Sequence, residues 1–110
     1  MNRVIFLRLL AKLILFAEEH GINIFVYEYY RDADRQRDLY KMGKSKCDGF
    51  VRKSPHQKGL AVDIAILKDG DADWESPHYE TLGEYWQSIG GIWGGGWKSL
   101  VDKCHYEYKP

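Results

Sequence analysis

Apolar side chains in the first sixteen residues recur with a helical period. Ile5, Leu9, Leu13 and Phe16 share one face and Arg8 and Lys12, four apart, share another, which predicts an amphipathic helix over about Arg3 to His20, stopped by Gly21. The pattern then changes, and Ile22 to Tyr29, dense in β-branched and aromatic residues, predicts a strand. Arg31-Asp32-Ala33-Asp34 opens a second helix running to about Met42, with Asp32 or Asp34 as N-cap and Gly43 as its stop. Gly43 to Pro55 reads as a polar, basic loop. Leu60 to Leu67 is a nearly unbroken apolar run, a second strand closed by turn residues from Lys68 to Asp73. Pro77 to Ile89 places Leu82, Tyr85, Trp86 and Ile89 at core spacing on a third helix; Gly90 to Gly96 is a loop, and His105 to Lys109 alternates like a final strand. The sum is an α+β fold: residues 1–110 form one small domain, with helices packed on a short, mostly antiparallel sheet.

Composition narrows the function classes. Apolar residues are 45% of the chain and aromatics 15%, a folding composition, and 110 residues make one core without room for a second module. Sixteen basic residues balance sixteen acidic ones, so the basic footprint of a nucleic-acid binder is missing. The basic-then-apolar start imitates a signal peptide, but Arg8 and Lys12 interrupt it and Glu18 and Glu19 follow without a small-residue cleavage site. A core helix is expected there, not a membrane span. Cys47 and Cys104 form no Cys-x-x-Cys motif and are expected as free thiols.

One carboxylate breaks the second strand's pattern. Asp63 stands among Leu60, Ala61, Val62, Ile64, Ala65, Ile66 and Leu67, where a carboxylate needs a cation or hydrogen-bond donors. His56 lies seven residues before it. Imidazole and carboxylate are both zinc ligands, and a hydrolytic zinc takes three protein ligands and leaves one position for water, so a third ligand is required from elsewhere. Asp102-Lys-Cys-His105 supplies a histidine, with a second carboxylate three residues ahead that is placed to act as a base. Cys104 is set aside as a nucleophile or ligand, because strand neighbours point to opposite faces. Asp69, Asp71, Asp73 and Glu80 match part of a calcium-loop template, but Trp74 stands where that template needs glycine, and the stretch reads as a solvated acidic turn. His20 and His78 read as surface or capping residues. Trp93 and Trp97, separated by three glycines, fit either the wall of a substrate cleft or plain core packing.

Ser54-x-His56-x-x-Gly59-x-Ala61-x-Asp63, followed by Asp102-x-x-His105, resembles the zinc D-alanyl-D-alanine carboxypeptidase and L-alanyl-D-glutamate endopeptidase family. The stretch Trp93-Gly-Gly-Gly-Trp97-Lys-Ser-Leu-Val-Asp102 carries the likeness toward its phage and prophage endolysin branch. The resemblance implies a zinc metallopeptidase with His56, Asp63 and His105 on the metal and Asp102 as general base. It implies Arg31 at a substrate carboxylate or at the oxyanion. For Ser54, a contact to substrate or to a metal ligand stands beside a plain turn serine. The family pattern often has Asp where this chain has Gly96, which touches a loop contact and not the metal. The expected reaction is hydrolysis of the L-alanyl-D-glutamate bond of the peptidoglycan stem peptide. The alternatives are a D-alanyl-D-alanine carboxypeptidase or dipeptidase, and a non-catalytic cell-wall-binding module. A monomer made in the host bacterial cytoplasm, reaching the wall after release, completes the expectation.

Overall fold

Val62, Ile64 and Ile66 alternate along the longest strand and point to one side of it, where Phe6, Leu13, Leu82 and Trp86 bury them almost completely. That contact organises the computed structural model, which describes residues 1–44, 47, 49 and 54–110. Helix α1 is Asn2–Glu19, strand β1 Ile24–Glu28, helix α2 Ala33–Lys41 and strand β2 Ala61–Lys68. Strand β3, Asp71–Ala72, helix α3, His78–Ser88, strand β4, Ile92–Trp93, a single 3₁₀ turn at Gly94–Gly96 and strand β5, His105–Glu107, complete the chain. The sheet order is β1-β2-β5-β4, with β3 folded back on the end of β2, and every pairing is antiparallel. Helices α1 and α3 cover one face. No helix among the described residues is long and apolar enough to cross a membrane.

The expected α+β architecture holds, with three differences. The core stripe of α1 is Phe6, Leu10, Leu13 and Ala17, rotated by about one residue from the expected Ile5, Leu9, Leu13 and Phe16. A helix apolar on most sides fixes its period but not its phase, and packing against α3 and β2 decides which face turns inward. Strand β4 lies where a loop was expected; two residues carry no alternation, and pairing with β5 alone makes them a strand. The acidic turn after β2 is a tight hairpin into β3, with Asp73 Oδ1 accepting from the Glu75 N–H, and Glu80 lies on α3. Most of the expected basic loop, at residues 45, 46, 48 and 50–53, lies outside the described residues. Cys47 and Cys104 form no disulfide.

Two registers set up the sheet's other face. Asp63 pairs with His105 on one side and with Glu28 on the other, so the three side chains emerge together opposite the helices. The Glu28 pairing depends on a bulge. Val26 faces Ile64 and Glu28 faces Asp63, leaving Tyr27 as the extra residue; without the bulge Tyr27 would oppose Asp63.

Candidate metal centre

His56 stands on a short turn before β2. The Gln57, Lys58 and Gly59 N–H groups donate back to the Ser54, Pro55 and His56 carbonyls, and the turn closes on Gly59 at φ +71°. A side chain there would be strained in this conformation, and its Cβ would also meet the Arg3 and Tyr29 side chains at 3.1 and 3.2 Å. Arg3 Nε donates to the Lys58 carbonyl and Tyr29 Oη to that of Gly59, so α1 and the segment following β1 both clasp the turn. Ser54 is buried and its hydroxyl accepts from the His56 N–H at 3.1 Å; its contact is thus to the backbone of the candidate ligand.

The histidine rings and Asp63 converge. His56 Nε2 lies 3.4 Å and His105 Nδ1 3.3 Å from the same Asp63 oxygen, Oδ1. The three side chains are buried and offer ligand atoms within 4.8 Å of one another. Hydrogen bonding fixes the lone pairs. His56 Nδ1 lies 2.9 Å from the Tyr29 carbonyl, which only accepts, so in a neutral ring the proton is on Nδ1 and the lone pair on Nε2. That Nε2 is buried without a hydrogen-bond partner and faces a carboxylate oxygen, a repulsive arrangement unless a cation sits between them. The donor set, two imidazoles and one carboxylate, suits zinc with an open position. The residues fit a metal.

Charge around Asp63 is ordered. Arg31 is buried and its guanidinium meets both oxygens of Glu28, Nε at 3.0 Å and Nη2 at 2.9 Å, while Nη1 donates to Gln36 Oε1 at 2.7 Å. Its Nη2 lies 3.7 Å from Asp63 Oδ2. Three N–H groups of Arg31 are therefore taken by Glu28 and Gln36, and its guanidinium is fixed in place with its charge paired chiefly to Glu28. Burial alone would raise the Asp63 carboxyl, but the two imidazoles beside it, His105 foremost, outweigh burial in the metal-free chain and hold the group well below the usual carboxylate range. Burial works against the charged form of His105 too; hydrogen bonds to Asp63 and Glu107 prevail and raise its imidazole to about 9 in the metal-free chain. Asp102 moves the other way, raised by burial and by the charge of Asp63.

A cavity of about 750 Å³ opens over the three residues, lined by Arg31, Ser54, His56, Asp63, Trp97, Asp102 and His105 among others. Of the site residues the sequence singled out, only Trp93 is absent from its wall. Trp93 pairs with Tyr106, so its ring faces the core, packed against Gly83 and Gly95, with its indole N–H donating to the Lys103 carbonyl at 2.8 Å. Of the two roles considered for Trp93, cleft wall or core packing, its ring here takes the packing one. Trp97 lies on the cavity, its ring 5.1 Å from that of His105. The sequence reading missed Glu28, Gln36 and Glu107. Glu107 Oε1 meets His105 Nε2 at 2.8 Å, and its one sequence signal is the two-residue spacing from His105 on a strand.

Residues 49–108 match the family described as D-alanyl-D-alanine carboxypeptidase, and the chain belongs to that family. It is similar to the peptidoglycan L-alanyl-D-glutamate endopeptidase CwlK of Bacillus subtilis (strain 168), 32% identical over 110 residues, covering 86% of this chain and 65% of the relative. It is also similar to the L-alanyl-D-glutamate peptidase of Listeria phage A118, 28% identical over 100 residues, covering 88% of this chain and 34% of the relative. The chain thus spans less than two thirds of both. Among solved structures it resembles the Serratia marcescens L-Ala D-Glu endopeptidase ChiX, with TM-score 0.72 and 29% identity over 91% of this chain and 77% of that one.

Proposed function

We propose that this chain is a zinc peptidase that hydrolyses the L-alanyl-D-glutamate bond of the peptidoglycan stem peptide. The observation that carries the metal reading is the buried, unpartnered Nε2 of His56 held against Asp63 Oδ1, with His105 Nδ1 on the same oxygen. The choice of bond rests on likeness to relatives named for it. His56, Asp63 and His105 would hold the zinc, which would supply Lewis acidity and ease deprotonation of water near neutral pH. The remaining work falls to the chain's own groups. Asp102, on the cavity wall, takes a proton from the attacking water and returns it to the leaving amine. Arg31, clamped by Glu28, keeps a guanidinium on the cavity wall beside Asp63, where it partly offsets that carboxylate. Trp97 offers an apolar wall beside His105.

Host-cell lysis is the proposed setting, with synthesis in the bacterial cytoplasm and contact with the wall on release; the likeness to the Listeria phage peptidase supports it. The test is digestion of purified peptidoglycan by zinc-loaded protein beside the Asp102→Ala variant, read by mass spectrometry. New L-alanine carboxyl and D-glutamate amino termini, absent with the variant, are expected. Release of D-alanine would replace this reading with a carboxypeptidase. A folded, zinc-bound protein that makes no new termini would replace it with a wall-binding module.

A further inference from the structure

We infer that Glu107 is a positioning residue that sets which nitrogen of His105 faces the metal, and so tunes zinc affinity without touching zinc. The inference rests on the zinc reading above. Glu107 is two residues beyond His105 on β5, so strand alternation places both side chains on the same face. Its backbone is held on three sides: it pairs with Ala61 on β2 and Ile92 on β4, and its carbonyl accepts from the Trp86 indole at 2.9 Å. The side chain is 14% exposed and its Oε1 lies 2.8 Å from His105 Nε2.

A carboxylate accepts and does not donate, so in a neutral ring the proton belongs on Nε2, and the lone pair is left on Nδ1. Nδ1 is the atom 3.3 Å from Asp63 Oδ1. His56 is arranged in mirror fashion, with Nδ1 held by the Tyr29 carbonyl and Nε2 turned to the same oxygen. The two rings therefore present opposite nitrogens to one point because their outer partners differ. The Tyr29 carbonyl is neutral, whereas Glu107 is an anion. A negative acceptor makes the ring nitrogen on the far side a stronger donor to a cation, the known effect of carboxylates behind metal-ligating histidines.

The experiment measures zinc dissociation constants by competition with a chromophoric chelator, on the full chain, for wild type, Glu107→Ala and Glu107→Gln. Imidazole ¹⁵N shifts of His105 in the zinc-loaded proteins are recorded alongside. Wild type is expected to show a protonated Nε2 and a metal-shifted Nδ1. Glu107→Ala should bind zinc about 10- to 100-fold more weakly, and the near-isosteric Glu107→Gln about tenfold more weakly. Both variants should keep the circular dichroism of the metal-free wild type. A variant that is folded yet binds zinc as tightly as wild type, with the same ¹⁵N pattern, overturns the role of Glu107. If Glu107→Ala does not fold, Glu107→Gln decides the matter by the same criterion. Failure of wild type itself to bind stoichiometric zinc overturns the metal reading, a result separate from either variant's.

Discussion

The two nitrogens of His56 divide the work of the ring, since Nδ1 anchors it to the Tyr29 carbonyl just after β1 and Nε2 is left for a cation. Replacing His56 or His105 with alanine should abolish stoichiometric zinc, read by metal analysis after dialysis. Asp102→Asn should keep zinc and lower turnover by about 10²- to 10⁴-fold, as expected for loss of a general base. Zinc uptake should also depend on pH in a defined direction. In the metal-free chain the raised pKa of His105, about 9, means that below that pH the ring carries a proton that the metal must displace. Apparent affinity should therefore rise by roughly tenfold per pH unit for that one proton and level off above about 9. The same raised pKa has the opposite consequence for the metal-free fold: its stabilisation is fully present below 6.5 and lost as pH rises through about 9. Chelator competition and thermal unfolding of metal-free protein, each across pH, read the two trends. His56, Asp63, His105 and Asp102 were legible in the sequence because ligand chemistry and spacing are written in it. Glu28, Gln36 and Glu107 were not, since their partners are set by strand register and by a buried arginine.

Elements meet the site through close backbone approaches that sequence patterns do not reveal. The 3₁₀ turn after β4 touches the segment carrying Asp102 and His105: the Asp102 N–H donates to the Gly94 carbonyl at 3.0 Å. A Cβ on Gly94 would meet the Asp102 carbonyl oxygen at 2.3 Å and the His105 Cβ at 3.1 Å. Gly94→Ala must therefore displace that backbone, and it should weaken zinc binding and turnover together while α1 and α3 remain packed; affinity and far-ultraviolet circular dichroism check this. Gly96 is different. Its Cβ would meet only the Gln87 side chain, at 4.0 Å, so Gly96→Asp, the residue common in the family pattern, should fold as wild type does. The glycine run was readable as a break in helical periodicity, but not as a strand and a turn. Two residues of β4 exist because β5 is there to pair with them, and the bulge at Tyr27 that brings Glu28 opposite Asp63 leaves no mark in the alternation of β1.

For the molecule as a whole, the sheet separates stability from chemistry. Leu13 and Ile64 are fully buried on the helix side, whereas the candidate ligands emerge on the other face and come from stretches far apart in the chain, Asp63 and His105 being 42 residues distant. A cation joining the turn before β2, β2 itself and β5 binds only the folded chain, so zinc should stabilise it by mass action, by about 2.7 kcal/mol at a hundredfold excess over the dissociation constant. Leu13→Ala leaves a cavity under α1 and should cost about 2–5 kcal/mol. Because Leu13 lies on the opposite face from the ligands, the two effects should add. Thermal unfolding checks this: the variant should have a lower midpoint with or without zinc, and the same stabilisation from zinc as wild type. His105→Ala should show no zinc-dependent shift. A smaller zinc stabilisation in Leu13→Ala would mean that the sheet transmits core packing to the ligands, and that the two faces form one cooperative unit.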